Sequence, residues 1–184
     1  MKKVIFTLIL SLVCSLSICA QEGHLKFMGI ELNGSITEFQ TKLAAKGLTL
    51  SKTNNQYPTG IRAYDGIFSG EKAEILVWYN PRSKQVYRAK AVISREGEDL
   101  IKQLKTSFED KLDIKYGTDS KSTVNVKDQY LHEFDQHSYN VGNGTVDLFI
   151  VSTGYTSHNT FYLHIDYKDF ENYVKNTADE MDDL

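Results

Sequence analysis

The sequence lacks cysteine after residue 20. Both cysteines, Cys14 and Cys19, lie in the first 20 residues, so the remainder of the chain has no disulfide, no thiol nucleophile and no cysteine metal ligand. Small exported domains often depend on disulfides, but a chain of about 164 residues buries roughly two-thirds of its unfolded surface. Its core must therefore be held by packing alone.

Basic residues are scarce as well. Beyond Lys2 and Lys3 the chain has 19 Lys and Arg against 24 Asp and Glu, a net charge of −5. Phosphate binding requires a concentrated basic surface, so we expect no nucleic-acid partner. No two of the 12 glycines are adjacent, and none forms a phosphate-binding loop, a dinucleotide fingerprint or a calcium loop. We therefore expect no cofactor.

Residues 1–20 have the order of a signal peptide. Lys2 and Lys3 precede an apolar run over residues 4–13, which gives way to polar residues too early for a transmembrane segment. We expect cleavage after Ala20 and export to the periplasm or the extracellular space. The alternative is a lipoprotein acylated at Cys19, although Ile18 is a poor residue to precede that cysteine.

The first unit, residues 21–94, reads as a helix followed by three strands. Ser35 and Glu38 form a capping-box pattern, and the apolar spacing after them predicts a helix over 36–46. A short strand or extended lead-in at 25–30 precedes it. Alternating apolar residues between turn signals predict strands at 61–69, 73–80 and 85–94.

The second unit, residues 95–184, repeats this order. Apolar residues at helical spacing predict a long helix that ends at Tyr116, followed by a polar loop over 118–127. Strands are expected at 129–135, 145–153 and 159–167, with a hairpin signal at Asn143-Gly144. A last helix over 168–178 would run through Phe170, Tyr173 and Val174, before an acidic tail over 179–184 that is expected to fray.

Together these elements predict an α+β fold with an antiparallel sheet of about six strands and two main helices on one face. The order of a helix and then three strands, repeated, is consistent with an internal duplication inside one compact domain. A single α+β sheet without internal symmetry is the alternative.

Histidines and carboxylates in the second unit form two patterns. His132 and His137 are five apart, whereas a helical zinc motif needs four; on a strand, His137 shares a face with Glu133 and Asp135. His164 shares a strand face with Asp166, and the two could meet His132 or His137 if their strands are neighbours, in a cluster that could bind metal or shuttle protons. A solvated polar face for the first pattern and a cross-strand polar pair for the second are the favoured interpretations.

A surface is the remaining candidate site. Arg88 and Lys90 project from the face opposite Ala89, and Tyr155 lies in a turn, so these three are the expected binding residues. Trp78, which alternates with core residues, is expected in the core. We expect Arg88→Ala to leave the melting temperature nearly unchanged, whereas Phe108→Ala should lower it greatly.

The two helix-plus-strands units resemble the architecture of secreted β-lactamase-inhibitor proteins, and each unit resembles the small outer-membrane assembly lipoproteins of the BamE type. The inhibitor proteins carry disulfides that are absent here, and no site residue is transferred. The Lys2-Lys3 signal that ends at Ala20-Gln21-Glu22 also looks like that of exported periplasmic proteins of Gram-negative bacteria.

Two hypotheses for function follow. The first is a non-enzymatic binding module of the periplasm or cell envelope that recognises a protein or an envelope component through an open sheet face. The second is a small hydrolase or metal-dependent enzyme that uses His132, His137 and His164. The sequence does not specify the oligomeric state.

Overall fold

The computed structural model describes residues 23–127, 133–153 and 160–181. The predicted signal peptide, with Cys19, and the candidate residues His132 and Tyr155 lie outside the described residues. Within the described parts of the chain, no helix is both long enough and apolar enough to cross a membrane.

The described residues form three helices and ten strands. The helices are α1 (Ile36–Ala45), α2 (Glu98–Tyr116) and α3 (Phe170–Met181). The strands are β1 (Lys26–Phe27), β2 (Ile30–Glu31), β3 (Thr49–Leu50), β4 (Ile61–Phe68), β5 (Glu71–Tyr79), β6 (Val86–Glu96), β7 (Lys121–Lys127), β8 (Glu133–Val141), β9 (Gly144–Ser152) and β10 (Thr160–Asp169).

Eight of these strands form one antiparallel sheet, and β1 and β2 form a separate hairpin. The order in the large sheet is β3-β4-β5-β6-β10-β9-β8-β7, so the strands of the first half lie on one side and those of the second half on the other. The α+β class and the antiparallel sheet are confirmed; the sheet has eight strands where about six were expected, and the last helix expected over 168–178 accompanies the two main helices. The internal duplication stays a prediction.

The hydrophobic core lies between the large sheet and the helices. Ile75, Ala91, Ile165 and Leu148 are register partners across β5, β6, β10 and β9, and all four are fully buried. α1 contributes Ile36, Phe39 and Leu43, and α2 contributes Ile101, Phe108 and Leu112. The residues that alternate with these strand positions therefore point away from the core.

The first helix begins where the capping box predicts. The Glu38 backbone N–H donates to the Ser35 hydroxyl at 3.3 Å, and the Ser35 backbone N–H donates to the Glu38 carboxylate at 3.0 Å. These bonds satisfy two backbone groups at the helix start, and the bond from the Ser35 backbone N–H lowers the pKa of Glu38. Helix α2 ends at Gly117, whose φ of 82° is readily adopted only by glycine.

Strand β7 corrects the expectation of a polar loop over 118–127. The segment forms the edge of the sheet and pairs only with β8, so six of its seven side chains, from Ser122 onward, are exposed. An edge strand with no buried face lacks the apolar alternation that marks a strand in sequence. Strand β8 likewise runs to Val141, well past the expected 129–135.

The hairpin expected at Asn143-Gly144 is present between β8 and β9, but its turn lies one residue earlier. Val141 pairs with Gly144, so Gly142 and Asn143 are the two turn residues and Gly144 is the first residue of β9. Gly142 adopts the positive φ, at 54°. Gly144 is needed for a different reason: a β-carbon there would collide with the carbonyl oxygen of Lys168 on β10.

Helix α3 is present, but it buries polar residues. Phe170, Tyr173 and Val174, expected as its apolar stripe, are 40%, 39% and 63% exposed, while Asn172 and Asn176 are buried. The Asn172 side-chain amide donates to the Leu32 carbonyl at 2.6 Å and accepts from Gln85 at 2.9 Å. The hydrogen bond from a buried amide to a backbone carbonyl stabilises this orientation of α3 more than burial of the apolar side chains would.

The close approach at Gly144 gives a prediction. We expect Gly144→Ala to lower the free energy of unfolding by about 1–3 kcal/mol, because β9 and β10 must separate to admit the methyl group. Gly23→Ala is the matched control, since nothing lies within 4 Å of an added β-carbon there. Urea unfolding monitored by circular dichroism measures both. Equal stability of the two variants would contradict the proposed collision.

Candidate functional site

The side of the large sheet opposite α1 and α2 carries the candidate site. We call it the open face. Most of its central side chains are half-exposed, and they alternate with the fully buried core positions. Its central residues, from β5, β6, β10 and β9, are Leu76, Trp78, Arg88, Lys90, Val92, Tyr162, His164, Asp166, Asp147, Phe149 and Val151.

An ion-pair cluster occupies the centre of the open face. Arg88 donates from Nε to one Asp166 oxygen at 2.8 Å and from Nη2 to the other, which Lys90 Nζ approaches at 3.3 Å. The Asp166 side chain is 4% exposed. Burial alone would raise the pKa of Asp166, but the Arg88 hydrogen bond and the positive charges of Lys90 and Arg88 hold it below its ordinary value.

This cluster bears on two expectations. Arg88 and Lys90 lie on the predicted face, but they are not free in solvent, since their side chains are 24% and 12% exposed and bind Asp166. Because Arg88 binds a buried carboxylate, we now expect it to contribute to stability, contrary to the expectation from the sequence. Asp166 forms a cross-strand pair with Lys90, its direct register partner, but it is buried, whereas a pair on the solvated side of the sheet was expected.

Aromatic rings flank the cluster on both sides. The Trp78 ring centroid lies 4.3 Å from Arg88 Cζ and 5.4 Å from Lys90 Nζ, and Lys90 Nζ lies 5.5 Å from the Phe149 centroid. Cations held over aromatic faces at these distances are stabilised by the ring quadrupole. Trp78 was expected in the core, but its position between Val77 and Tyr79 on β5 places it on the open face, half-exposed.

His164 is the last residue in this row of charged and aromatic side chains. Its ring stacks on Phe149 with centroids 4.8 Å apart and an interplanar angle of 19°. Its Nδ1 atom is buried and has no hydrogen-bond partner among the described residues. Burial, and then the positive charge of Lys90, lower the pKa of His164 to about 4, so the ring is neutral at pH 7. Trp78, Arg88, Lys90, Asp166, Phe149 and His164 together form what we call the cation–aromatic ladder.

A shallow depression lies beside the ladder on the same face. Its volume is about 580 Å³, and Ile67, Val92 and Tyr162 contribute apolar surface to it. Lys72, Glu74 and Asp65 supply charges, and Lys72 and Glu74 lie on β5 between Ile67 of β4 and Val92 of β6. Glu74 is fixed by hydrogen bonds from the Tyr57 hydroxyl at 2.9 Å and from Thr53 Oγ1 at 3.1 Å. Apolar and charged side chains are thus interspersed in the depression.

His137 lies on the opposite side of the sheet, against α2. Its Nε2 is 3.2 Å from a Glu109 carboxylate oxygen, and its Nδ1 is 2.8 Å from Thr123 Oγ1. A hydroxyl, an imidazole and a carboxylate in sequence can relay a proton. Thr123 is exposed on the edge strand, however, so no described residue encloses a substrate beside its hydroxyl. Lys121 Nζ also binds Glu109, at 2.9 Å, and the cluster ties β7 to α2.

The described histidines do not meet at one metal site. His137 pairs with Leu148 and His164 pairs with Phe149, which are adjacent residues of β9 and point to opposite faces. No group of three or more potential metal ligands occurs within the described ranges of the chain. Glu133, Asp135 and His137 share a side of β8 by their pairing with β7, but His137 is buried while both carboxylates are exposed.

The ion pairs at Arg88 give a prediction. We expect Arg88→Ala to lower the free energy of unfolding by about 1–3 kcal/mol, because it leaves the buried Asp166 carboxylate with Lys90 alone. Arg95→Ala is the matched control on the same strand. Its ion pair with Glu71 is about one-third exposed, so we expect a loss of under about 1 kcal/mol. Chemical denaturation at pH 7 compares the two, and a larger loss for Arg95→Ala would refute this assignment.

The neutral state of His164 gives a second prediction. Between its ordinary pKa of 6.5 and its folded pKa of about 4, the unfolded chain binds a proton that the folded chain does not. Stability therefore falls as the pH falls through this window. We expect His164→Gln to reduce this slope without abolishing it, because burial also lowers the pKa of His137. Urea unfolding at pH steps between 7 and 4 measures the slope, and superimposable slopes would disprove the assignment.

Comparison with known proteins gives no guide to the site: no protein-family model matches the chain, no curated protein matches it, and no solved structure matches it. The resemblance to β-lactamase-inhibitor proteins and to BamE-type lipoproteins therefore stays a prediction. The geometry of the open face is therefore the basis for assigning a function.

Proposed function

We propose that the chain is an exported, non-enzymatic interaction module whose open face binds a protein of the cell envelope. The observation that carries this proposal is the cation–aromatic ladder. Its arginine and its tryptophan belong to the residue types that dominate protein-binding hot spots. Both remain partly exposed at the centre of a sheet face whose opposite side is fully buried.

Rigidity of the ladder supports the same proposal. Asp166 holds Arg88 through two hydrogen bonds, and Arg88 in turn covers the Trp78 ring at 4.3 Å. Side chains that are already fixed lose little conformational entropy when a partner binds, so more of the contact energy appears as affinity. The ladder thus presents a preformed surface.

The neighbouring depression extends this surface. Its apolar residues Ile67, Val92 and Tyr162 are interspersed with the charged residues Lys72 and Glu74 of β5. Non-obligate protein interfaces likewise combine apolar surface with polar groups. We infer that a partner covers the ladder and the depression together. The signal-peptide pattern of residues 1–20 supports a partner in the periplasm or outside the cell.

The alternative of a metal-dependent enzyme has less support. His137 and His164 lie on opposite faces of the sheet, so they cannot bind one ion. The proton relay of Thr123, His137 and Glu109 is the only observation in favour of a hydrolase among the described residues. It opens onto the exposed edge strand, where water is not excluded.

Site-specific photo-crosslinking tests the proposal. A photoreactive phenylalanine at Tyr162, inside the depression, should crosslink to a discrete envelope protein in the cells that produce the chain. The matched control position is Ile114 on α2, which is 88% exposed and lies outside the open face. It should give no such product.

A second variant tests the ladder itself. Trp78→Ala, introduced together with the Tyr162 probe, should reduce the yield of crosslinked product at least tenfold, because truncation of a hot-spot residue costs about 2 kcal/mol or more. Circular dichroism establishes that the variant is folded. The proposal fails if Ile114 crosslinks to the same product, if Tyr162 gives none, or if the folded Trp78→Ala variant crosslinks as well as the parent.

A further inference from the structure

A second cavity lies on the helix side of the sheet, away from the open face. Its volume is about 360 Å³, at the lower end of the range typical of small-molecule sites, roughly 300–1,000 Å³. Two hairpin turns flank it, one at Met28 between β1 and β2 and one at Ser69 between β4 and β5. Helix α2 and strand β10 complete its walls.

The floor of this cavity is apolar and rigid. Phe27, Phe68 and Phe108 form a continuous stack, with ring centroids 5.3 Å and 5.9 Å apart. Two of these rings, Phe68 and Phe108, line the cavity together with Leu112, Ile165 and Tyr167, and all five side chains are buried. An occupant of the floor must therefore be an apolar group.

The rim of the cavity is cationic. Lys46, Lys111 and Lys115 line it. Lys111 Nζ lies 4.7 Å from the Phe108 ring centroid and 3.4 Å from Ser69 Oγ. Among the described residues, no carboxylate forms an ion pair with any of the three lysines. Three positive charges around an apolar cavity are complementary to a molecule with an anionic head and an apolar tail.

We propose that this cavity binds a free fatty acid of medium chain length. The acyl chain would lie on the floor formed by Phe68, Phe108 and Ile165, and the carboxylate would lie among the three rim lysines. The limited volume favours a medium chain over a long one. This site is separate from the open face, because Ile165 and Tyr167 alternate with Asp166 on β10 and point to the opposite side.

Isothermal titration calorimetry with sodium decanoate, below its critical micelle concentration, tests the site on the purified protein. We expect one saturable site. Butyrate keeps the carboxylate but shortens the tail, and each methylene lost should weaken binding roughly fourfold. Decyltrimethylammonium keeps the tail but reverses the charge and should not bind. Absence of saturable decanoate binding, or equal binding of decyltrimethylammonium, would overturn the proposal.

Variants locate the binding site. The double variant Lys111→Gln/Lys115→Gln should bind decanoate at least tenfold more weakly, whereas Lys42→Gln/Lys52→Gln, which removes two exposed lysines outside the cavity, should bind as the parent does. Equal affinities in the two double variants would place the ligand elsewhere and refute the assignment. Exposed lysines are seldom needed for folding, so both double variants should be soluble and folded.

Two further measurements distinguish this proposal from binding to a membrane surface and from binding at the open face. Vesicles of phosphatidylglycerol should not bind the protein; if they bind and decanoate does not, the lysines recognise a membrane surface and the fatty-acid site is refuted. Trp78→Ala should leave decanoate affinity unchanged, because Trp78 lies on the open face. Loss of decanoate binding in that folded variant would contradict the separation of the two sites.

Discussion

The antiparallel pairing of β6 with β10 is the interaction on which the rest of the structure depends. It runs from Glu96 opposite Thr160 to Arg88 opposite Lys168, and it joins the strands of the two halves of the chain into one sheet. On the helix side, β6 presents Ala91 to the core. On the other side it presents Lys90 to Asp166. The same strand pair therefore closes the core and builds the cation–aromatic ladder.

Local signals predicted much of this fold. The capping box at Ser35 and the hairpins of the first half depend on residues that are close in sequence, so the sequence alone predicts them. Strand β7 was missed because it has no buried face. The apolar pattern of Phe170 and Tyr173 predicted the wrong buried face for α3. The helix instead buries Asn172, which donates a hydrogen bond to the carbonyl of Leu32, a residue 140 positions away in sequence. Such contacts depend on tertiary structure that no local pattern encodes.

The candidate site was predicted only in part, for the same reason. Alternation along β6 placed Arg88 and Lys90 on the correct face, and alternation along β10 placed His164 beside Asp166. Their association was not predictable, since Arg88 and Asp166 are 78 residues apart and the order of strands in the sheet was unknown. If β6 and β10 were known to be neighbours, the alternation along each strand would predict that Arg88, Lys90 and Asp166 form one charge cluster.

The unequal edges of the large sheet bear on how the protein avoids fibril formation. Strand β3 has only two residues, which leaves little backbone for another chain to extend, but β7 has seven and its outer edge is unpaired within the described residues. A symmetric antiparallel addition of a second β7 would set Lys121 of each copy opposite Lys127 of the other. Both lysines already have an ion-pair partner in their own molecule, Glu109 for Lys121 and Glu133 for Lys127, and charged side chains at both ends of an edge strand disfavour growth of the sheet from one molecule to the next.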